Sequence, residues 1–305
     1  MSSTPAKEAL TEPWPKGQSD TVSVSAPAKI NLFLHVTGRR ADGMHELQTL
    51  FQFLDWGDRL EITPLAEPRF ERTGSPGAVP EANDLALRAA RLLAEATGHD
   101  GGVTIGLDKR LPVGGGLGGG SSDAATTLLV LNRLWGCGLD QGELVALGAQ
   151  LGADIPVFIG GTAAWAEGIG ERLTPVPEML TEPWYLLLWP EGVGVTTKEV
   201  FADPALTRDH PRVTIRDFSR GRCTNDFEAV VTRRMPDIAE ARDWLQGQVP
   251  ERVHMTGSGV CLFVGLADRG SAEALRRRVP AQWNAVVARG RNRHPLADWA
   301  LSGGV

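Results

Sequence analysis

The chain has 305 residues, of which 42% are hydrophobic and 22% are charged, and its formal net charge is -6. This length predicts one large or two moderate domains, and the acidic balance argues against a nucleic-acid-binding protein, which would need a basic face. The sequence has no apolar run of the ~18 to 20 residues that a membrane span needs, no signal-peptide core and no clustered cysteine or histidine ligands, so we expect a cytoplasmic protein with neither a membrane partner nor a zinc site.

The first strand of the predicted fold follows a polar N-terminal segment. Residues 1–20 are rich in Pro, Ser, Glu and Lys, and we expect them to form a disordered tail. From Ala28 to Val36 apolar residues occupy alternate positions and would share one face of a strand. That strand's second face is either a solvated surface or part of a site, and the pattern supports both about equally. Its members are Lys29, Asn31, Phe33 and His35.

The next elements alternate between irregular and regular structure. The segment from Pro64 to Asn83 is heavy in Pro, Gly and Glu and predicts an irregular connection. A helix over about Asp84 to Thr97 and a strand at GVTIGL follow. After a glycine-rich stretch, helical spacing of apolar residues from Ala124 to Trp135 predicts an amphipathic helix.

The glycine-rich stretch LPVGGGLGGGSSDAA, from Leu111 to Ala125, is the most informative segment. A glycine-rich loop that leads into a helix presents free N–H groups at the positive end of the helix dipole. This arrangement favours polyphosphate binding over a plain linker. We expect Ser121 or Ser122 to cap the helix and Asp123 to lie in its first turn.

Two familiar phosphate-binding motifs fit this stretch poorly. A Walker A loop requires GxxxxGK[ST], and no lysine follows these glycines. Gly114, Gly116 and Gly119 satisfy GxGxxG, but any glycine run does so, and a Rossmann fold needs a strand that enters the glycines directly. Dinucleotide binding is therefore the poorer interpretation.

Charged residues around the stretch have open roles. Lys109 and Arg110 could neutralise a triphosphate, as could a magnesium ion, or they could be an ordinary solvated strand end. Asp123 would repel phosphate unless it faces away or helps to hold the metal. In GADIPVF, the local pattern favours Asp154 as a helix N-cap that is followed by a proline in the first turn.

The second half of the chain has the element order of a ferredoxin-like sheet. It predicts strands at WYLLLWP, RVHMT, VCLFVGL and NAVVA, helices over Thr224–Leu245 and at SAEALRRRV, and therefore the order β-α-β-β-α-β. We place the domain change between about Gly168 and Pro183. The expected domains are residues 21–170 and 171–290, with a C-terminal tail at 291–305.

Four segments together resemble the GHMP kinase superfamily, over about Ala26 to Ala288. They are PAKINLFLHVTGRRADGMHEL, the glycine stretch, LGADIPVFI and the TGSG turn at residues 256–259. The resemblance implies a two-domain α+β GHMP kinase fold, with an N-terminal ribosomal-S5-like ATP-binding domain and a C-terminal ferredoxin-like domain. It also implies ATP as phosphoryl donor with Mg²⁺ carried by the nucleotide, no metal site of the protein's own, and a monomer or homodimer.

QTLFQFLDWGD and NDFE narrow the resemblance to one branch of that superfamily. This branch serves the non-mevalonate isoprenoid pathway and phosphorylates the 2-hydroxyl of a cytidine diphosphate-linked methylerythritol. The open alternatives are another small-alcohol kinase, acting on homoserine or mevalonate, and a nucleotide-binding regulatory module that has lost catalysis. His45 and Phe201 are residues that only a cytidine-bearing substrate would use, so they favour this branch over a homoserine or mevalonate kinase. The presence of both Lys29 and Asp154 argues against a regulatory module that has lost catalysis.

The resemblance also implies roles for individual residues. The catalytic pair falls on Lys29 and Asp154, so Asp154 is expected to orient the substrate hydroxyl rather than only cap a helix. Met44 stands where the family often has tyrosine, so one aromatic face of the expected cytosine clamp is missing. The substrate-binding residues implied are Asn31, Met44, His45, Phe201, Thr256 and Gly257. The ATP-binding residues implied are Asn83, Lys109, Pro112, Gly114, Gly115, Gly116, Leu117, Gly118, Gly119, Gly120, Ser121 and Ser122.

Overall fold

The structure, a computed structural model, describes residues 21–74, 80–192, 194 and 196–301, so the expected tail at 1–20 lies outside the described residues. Within these ranges, no helix has the combined length and apolar character needed to cross a membrane. The strands are β1 Val22–Arg39, β2 His45–Leu65, β3 Phe70–Gly74, β4 Gly102–Asp108, β5 Ala164–Glu167, β6 Arg172–Pro175, β7 Trp184–Pro190, β8 His254–Met255, β9 Leu262–Leu266 and β10 Trp283–Arg291. The helices are α1 Leu85–Thr97, α2 Gly119–Leu134, α3 Gln141–Leu151, α4 Ile155–Gly160, α5 Thr197–Ala202, α6 Ile215–Ser219, α7 Glu228–Arg234, α8 Pro236–Gln246, α9 Arg269–Arg276 and α10 Ala297–Leu301.

Among the described residues, one continuous sheet of ten strands joins the two halves of the chain. Its main path is β3-β4-β2-β10-β7-β9-β8, while β1 and β5 also pair with β2, and β6 pairs with β5. The long β1–β2 pair is antiparallel and changes register near Pro27, between Asn31 and Leu34, and near Val36. Because the pairing is antiparallel throughout the first half except between β3 and β4, the sheet differs from the parallel sheet of a Rossmann fold.

The second half has the predicted ferredoxin-like order. Strands β10, β7, β9 and β8 are neighbours in that sequence, and each pair is antiparallel. Helices α7 and α8 follow β7 along the chain and are separated just before Pro236, and α9 lies between β9 and β10. The α+β fold class is therefore confirmed, and β10 links the halves through Gly290 and Arg291, which pair with β2.

Each half of the molecule has a hydrophobic core, and a third core lies at the junction between the halves. The first core packs α1, α2 and α4 on β1, β2 and β4, with Phe53, Leu128 and Phe158 among its fully buried side chains. A second core packs α7, α8 and α9 on β7 and β9. A third, smaller core under the junction includes Ile30 and Leu187, which come from different halves. Each large apolar side chain buried in these cores contributes roughly 1.5–3 kcal/mol, and the third core joins side chains of both halves.

The connection expected from Pro64 to Asn83 is more regular than predicted. Strand β2 continues to Leu65, and β3 then pairs in parallel with β4, from Phe70 opposite Val103 to Gly74 opposite Leu107. Backbone pairing with a neighbouring strand supplies the hydrogen bonds that the local composition did not predict. The following helix is confirmed: the Asp84 side chain accepts hydrogen bonds from the N–H groups of the first turn of α1.

Residues after β10 are not a simple tail. The chain turns back over the first half, where α10 and the residue before it insert Leu296, Trp299 and Ala300 into the first core. His294 is buried beneath this turn. The β5–β6 hairpin, residues 164–175, crosses the expected domain boundary at residue 170.

Candidate active site

A cavity of about 830 Å³ lies between the two halves of the molecule. Strands β1 and β2 form its floor, the glycine loop and the start of α4 form one wall, and the start of α5 with the TGSG turn forms the other. It brings together most of the residues that the sequence analysis singled out. The predicted residues that line it are Lys29, Asn31, Met44, His45, Lys109, Pro112, Gly114, Gly115, Gly116, Leu117, Gly118, Gly119, Gly120, Ser121, Asp154, Phe201 and Gly257.

The glycine loop needs glycine because the TGSG turn presses against it. Gly116 has φ of 79°, and a Cβ built on it would lie 2.2 Å from the Thr256 carbonyl oxygen. A Cβ on Gly259 would likewise lie 2.3 Å from the backbone of Gly115. Only residues without a side chain allow two backbones to approach so closely. The contact between the TGSG turn of the second half and the glycine loop of the first half therefore fixes the shape of the loop.

Helix α2 begins one residue after Gly118, earlier than predicted. Gly118 is the N-cap in a left-handed conformation and provides no side-chain cap, so Ser121 and Ser122 are the third and fourth helical residues rather than the cap. Asp123 lies beyond the first turn for the same reason. Within the described part of the chain, the amides of Gly119 and Gly120 have no hydrogen-bond acceptor. Such amides at the positive end of a 16-residue helix can bind an anion.

Lys29 is buried on the floor of the cavity, where its ammonium makes two hydrogen bonds and one ion pair. Its ammonium donates to Asn31 Oδ1 at 2.7 Å and to the Gly116 carbonyl at 3.2 Å, and it lies 3.2 Å from Asp154 Oδ2. The side chain of Lys29 is only 3% exposed, whereas that of Asp154 is 35% exposed. A buried ammonium requires such partners because water cannot reach it. Asp154 is therefore held by a cation on one side and open to the cavity on the other.

Asp154 does not act as the helix cap that its local sequence favours. It occupies the N-cap position of α4, and proline follows in the first turn, but its side chain makes no cap hydrogen bond. The ion pair with Lys29 replaces the cap. Sequence spacing could not reveal this, because the competing partner is 125 positions away along the chain, on β1.

Lys109 lies beside the start of α2 between two carboxylates. Its ammonium donates to Asp58 Oδ2 at 2.6 Å and to Asp123 Oδ2 at 2.8 Å. Although burial opposes it, the charges of Asp123 and Asp58 raise the pKa of Lys109 above its ordinary value. Burial, opposed by Lys109, raises the pKa of Asp123. The sequence left open whether Lys109 and Arg110 neutralise a triphosphate or form a solvated strand end. Lys109 is fixed between two carboxylates, whereas Arg110 is exposed and pairs with Asp108.

Asp58 is a residue that the sequence analysis missed. Its carboxylate is 1% exposed, and besides Lys109 it accepts hydrogen bonds from the N–H groups of Arg110 at 2.6 Å and Leu111 at 2.8 Å. It therefore anchors the segment that enters the glycine loop. The signal available in the sequence was the DWGD segment that follows the apolar run LFQFL, although DWGD alone does not say which of its two aspartates is buried.

Thr256 and Asn31 connect the two halves below the cavity. Thr256 is fully buried, and its hydroxyl accepts from the Asn31 N–H at 2.9 Å and lies 3.2 Å from the Gly116 carbonyl. The Asn31 side chain also donates to Thr49 Oγ1 at 2.8 Å. Thr256 thus supports the floor and the loop from beneath, whereas Gly257 reaches the cavity.

The opposite end of the cavity carries three side chains of the expected cytosine clamp. Met44 is 49% exposed at its edge. The rings of His45 and Phe201 stack on each other, with centroids 4.5 Å apart and planes 20° apart. Phe227 meets Phe201 with its ring nearly perpendicular, and the two centroids are 5.0 Å apart. His45, Phe201 and Phe227 thus form one aromatic cluster that lines this end of the cavity.

Besides Thr256, two predicted ATP-binding residues and two members of the second face of β1 do not line the cavity. Asn83 ends a short 3₁₀ helix with its side chain exposed, and Ser122 is buried in α2. On β1, the alternative of a solvated polar face is wrong, because Phe33 and His35 are as buried as Lys29 and Asn31. Phe33 packs into a small apolar cluster instead of the cavity, and His35 stacks on a second histidine.

Comparisons with known proteins agree on one group. The family model of the GHMP kinases N terminal domain matches residues 84–162. A 4-diphosphocytidyl-2-C-methyl-D-erythritol kinase of Halorhodospira halophila is 51% identical over 272 residues, which cover 89% of this chain and 93% of that protein. The enzyme of the same name from Hahella chejuensis is 47% identical over 292 residues, covering 92% and 97%.

Two solved structures are similar to this chain, one in both sequence and fold and the other in fold alone. A crystal structure of 4-(cytidine 5'-diphospho)-2C-methyl-D-erythritol kinase superposes with a TM-score of 0.74 at 38% identity, and covers 88% of this chain and 99% of that one. Homoserine kinase from Cytophaga hutchinsonii superposes with a TM-score of 0.62 at 15% identity, covering 92% and 98%, a likeness of fold alone.

Proposed function

The chain belongs to the 4-diphosphocytidyl-2-C-methyl-D-erythritol kinase family of GHMP kinases, and we propose that its cavity transfers the terminal phosphoryl group of ATP to the 2-hydroxyl of 4-diphosphocytidyl-2-C-methyl-D-erythritol. It is a phosphotransferase with an alcohol acceptor, of the non-mevalonate isoprenoid pathway. The observation that carries the proposal is the Lys29–Asp154 pair, at 3.2 Å, in the same cavity as the uncapped start of α2.

The nucleotide end of the proposal rests on the glycine loop. The free amides of Gly119 and Gly120 and the dipole of α2 supply the positive potential that a Walker lysine supplies in other folds. Lys109, within reach of Gly119, adds a full charge whose position the two carboxylates fix. This part of the cavity suits a triphosphate, and we assign the remaining predicted loop residues and Asn83 to ATP on the family resemblance.

Magnesium would arrive with the nucleotide. Oxygen ligands are what Mg²⁺ prefers; the Ser121 hydroxyl and the Asp154 carboxylate belong to residues that line the cavity and would offer such oxygens, whereas Ser122 and Asp123 do not line it. When bound, the ion would neutralise charge on the phosphates.

Asp154 and Lys29 would carry out the chemistry. Asp154 is open to the cavity, so its carboxylate can accept a hydrogen bond from the substrate hydroxyl and orient the oxygen for in-line attack. Because phosphoryl transfer depends chiefly on alignment and electrostatics, a strong base is not required. Lys29 keeps the carboxylate in place. To contact the transferred group directly, its ammonium would have to release the Gly116 carbonyl, which is the longer of its two hydrogen bonds.

The alcohol substrate would lie between Asn31 and the clamp. We propose that Asn31 and Gly257 face the methylerythritol unit, with Thr256 supporting them, and that Met44, His45 and Phe201 face the cytosine. In this division of labour residues 21–170 bind ATP and residues 171–290 close over the reaction centre. Residues 292–301 pack against residues 21–170, through side chains that lie in the first core.

A substrate screen tests the proposal. The protein is incubated with ATP and magnesium and, separately, with 4-diphosphocytidyl-2-C-methyl-D-erythritol, free methylerythritol, homoserine or mevalonate, and the phosphorylated product is identified by mass spectrometry and ³¹P NMR. We expect turnover with the cytidine compound and phosphate on its 2-hydroxyl. Preferential phosphorylation of homoserine or mevalonate would contradict the substrate assignment, and ATP binding without any product would indicate a non-catalytic module.

A further inference from the structure

Arg208 joins the two rings at the clamp end of the cavity. Its Nη2 donates to the carbonyl oxygens of Phe201 at 2.8 Å and Asp203 at 2.7 Å, and its Nη1 donates to the Leu206 carbonyl at 3.0 Å. Three backbone acceptors on a planar fork allow the guanidinium only one orientation. The third nitrogen, Nε, donates toward His45 Nε2 over 3.3 Å.

Asp203 makes this anchor rigid from the other side. Its buried carboxylate accepts from Arg233 at 2.7 Å and from Arg234 at 2.6 Å, both on α7, and from the N–H of Ala205 at 2.9 Å. The segment that carries Arg208 is therefore tied to α7 of the second core. Arg208 is thus held by the fold and does not depend on His45 for its position.

The contact with His45 has only one chemical interpretation. Arginine stays protonated in proteins and offers donors alone, so His45 Nε2 must be the acceptor. A histidine that accepts at Nε2 is neutral and carries its proton on Nδ1. In the described residues Nδ1 has no hydrogen-bond partner, and His45 lines the cavity. The ring therefore presents an N–H donor that the protein itself does not use.

The charges around His45 favour the same state. Burial, then Arg208 and then Arg39, which pairs with His45 across β1 and β2, lower the pKa of His45. The acidic residue next to it, Glu46, is engaged by Arg212 at 2.9 Å. On the ring face, Phe201 is uncharged. No described group that contacts His45 therefore stabilises its protonated form.

We propose that Arg208 is a positioning residue for base recognition: it holds His45 as the neutral Nδ1–H tautomer on top of Phe201, so that Nδ1 donates to an acceptor atom of a pyrimidine. This inference rests on the proposed function, since it presumes that a nucleobase reaches the clamp. A donor at this point matches N3 of cytosine, which accepts, and opposes N3–H of uracil, which donates. Arg208 would thereby contribute to the choice of cytidine over uridine without contacting either base.

The first test needs no substrate. ¹⁵N-labelled histidine NMR of the full-length protein reports the tautomer and pKa of His45 in the wild type, in Arg208→Met and in Arg208→Lys, with the exposed Arg276→Met as the matched control. We expect an Nδ1–H ring in the wild type and the control, and a mixture of tautomers in both Arg208 variants. The pKa should rise in Arg208→Met, where the charge is lost, and rise less in Arg208→Lys. A wild-type ring that is protonated at pH 7, or that carries its proton on Nε2, would overturn the proposal.

The second test links the tautomer to recognition. In Arg208→Met we expect the KM for the cytidine substrate to rise about tenfold, as for one lost hydrogen bond, while kcat and the KM for ATP stay within about twofold. The acidic limb of kcat/KM for the cytidine substrate should move to higher pH by the change in His45 pKa, and the preference over the uridine analogue should shrink. A higher KM with an unmoved acidic limb and unchanged preference would mean that Arg208 is merely structural. Failure of the wild type to phosphorylate the cytidine compound would instead refute the proposed function, leaving the NMR result to judge the tautomer.

Discussion

Replacing Asp58 by asparagine should loosen the entrance of the glycine loop. In the native carboxylate, Oδ1 accepts from the N–H groups of Arg110 and Leu111, while Oδ2 accepts from the Lys109 ammonium at 2.6 Å. Asparagine can keep the two backbone bonds only by turning its oxygen toward them. Its NH₂ group then faces the lysine, so that two donors meet in a buried site.

The size of the effect follows from what Lys109 loses. Removing one partner of a buried ion pair destabilises a protein by about 3–5 kcal/mol, and Lys109 retains Asp123, so we expect a loss of about 3 kcal/mol in the free energy of unfolding. Asp123→Asn should cost only about 1 kcal/mol, because Asp123 accepts a single hydrogen bond, from Lys109, and burial already disfavours its charge. The two carboxylates share one cation but differ in what else depends on them.

Urea denaturation at pH 7.5, followed by tryptophan fluorescence, measures these differences, and initial rates give the KM for ATP. The matched control is Asp108→Asn, an exposed carboxylate in the same segment whose partner Arg110 is also exposed, for which we expect less than about 1 kcal/mol. Asp58→Asn should also raise the KM for ATP. Equal destabilisation by the Asp58 and Asp123 variants, or a larger effect at Asp123, would refute this view of the loop anchor.

Three further changes test other parts of the site and fold. Asp154→Asn should lower kcat by at least about 10²-fold while ATP affinity, measured by calorimetry, is preserved; lost ATP affinity would place the residue in the nucleotide half. Met44→Tyr should lower the KM for the cytidine substrate several-fold, since an aromatic contact adds roughly 0.5–1.5 kcal/mol, and no change would show that position 44 lies off the base. Burial lowers the pKa of His294 to about 3 from its ordinary 6.5, so the unfolded chain takes up a proton below pH 6.5 that the folded chain refuses. Relative to His294→Asn, the wild type should therefore lose up to about 2 kcal/mol of stability between pH 6.5 and 5, and parallel stability curves for the two proteins would contradict this.

Local features of the sequence determined much of this protein. The alternation around Lys29, the glycines before α2 and the β-α-β-β-α-β order are patterns within short windows, and backbone geometry converts such patterns directly into strands, a loop and helices. The choice of family likewise rested on contiguous motifs. These patterns also identified Lys29 and Asp154, through the resemblance, before any contact between them was visible.

Contacts between distant segments decided the rest. Asp58 approaches Lys109 across 51 positions, and Thr256 reaches Asn31 across 225 positions. Neither pairing leaves a periodic signal, because a charge or hydroxyl chooses its partner in space. The same reason explains why some local expectations were wrong. Asp154 pairs with a distant lysine instead of capping α4, and β3 pairs with β4 where an irregular connection was expected. Leu296 and Trp299, which were expected in a tail, pack into the first core. Local chemistry thus determined which groups were available, and tertiary packing determined which of them meet.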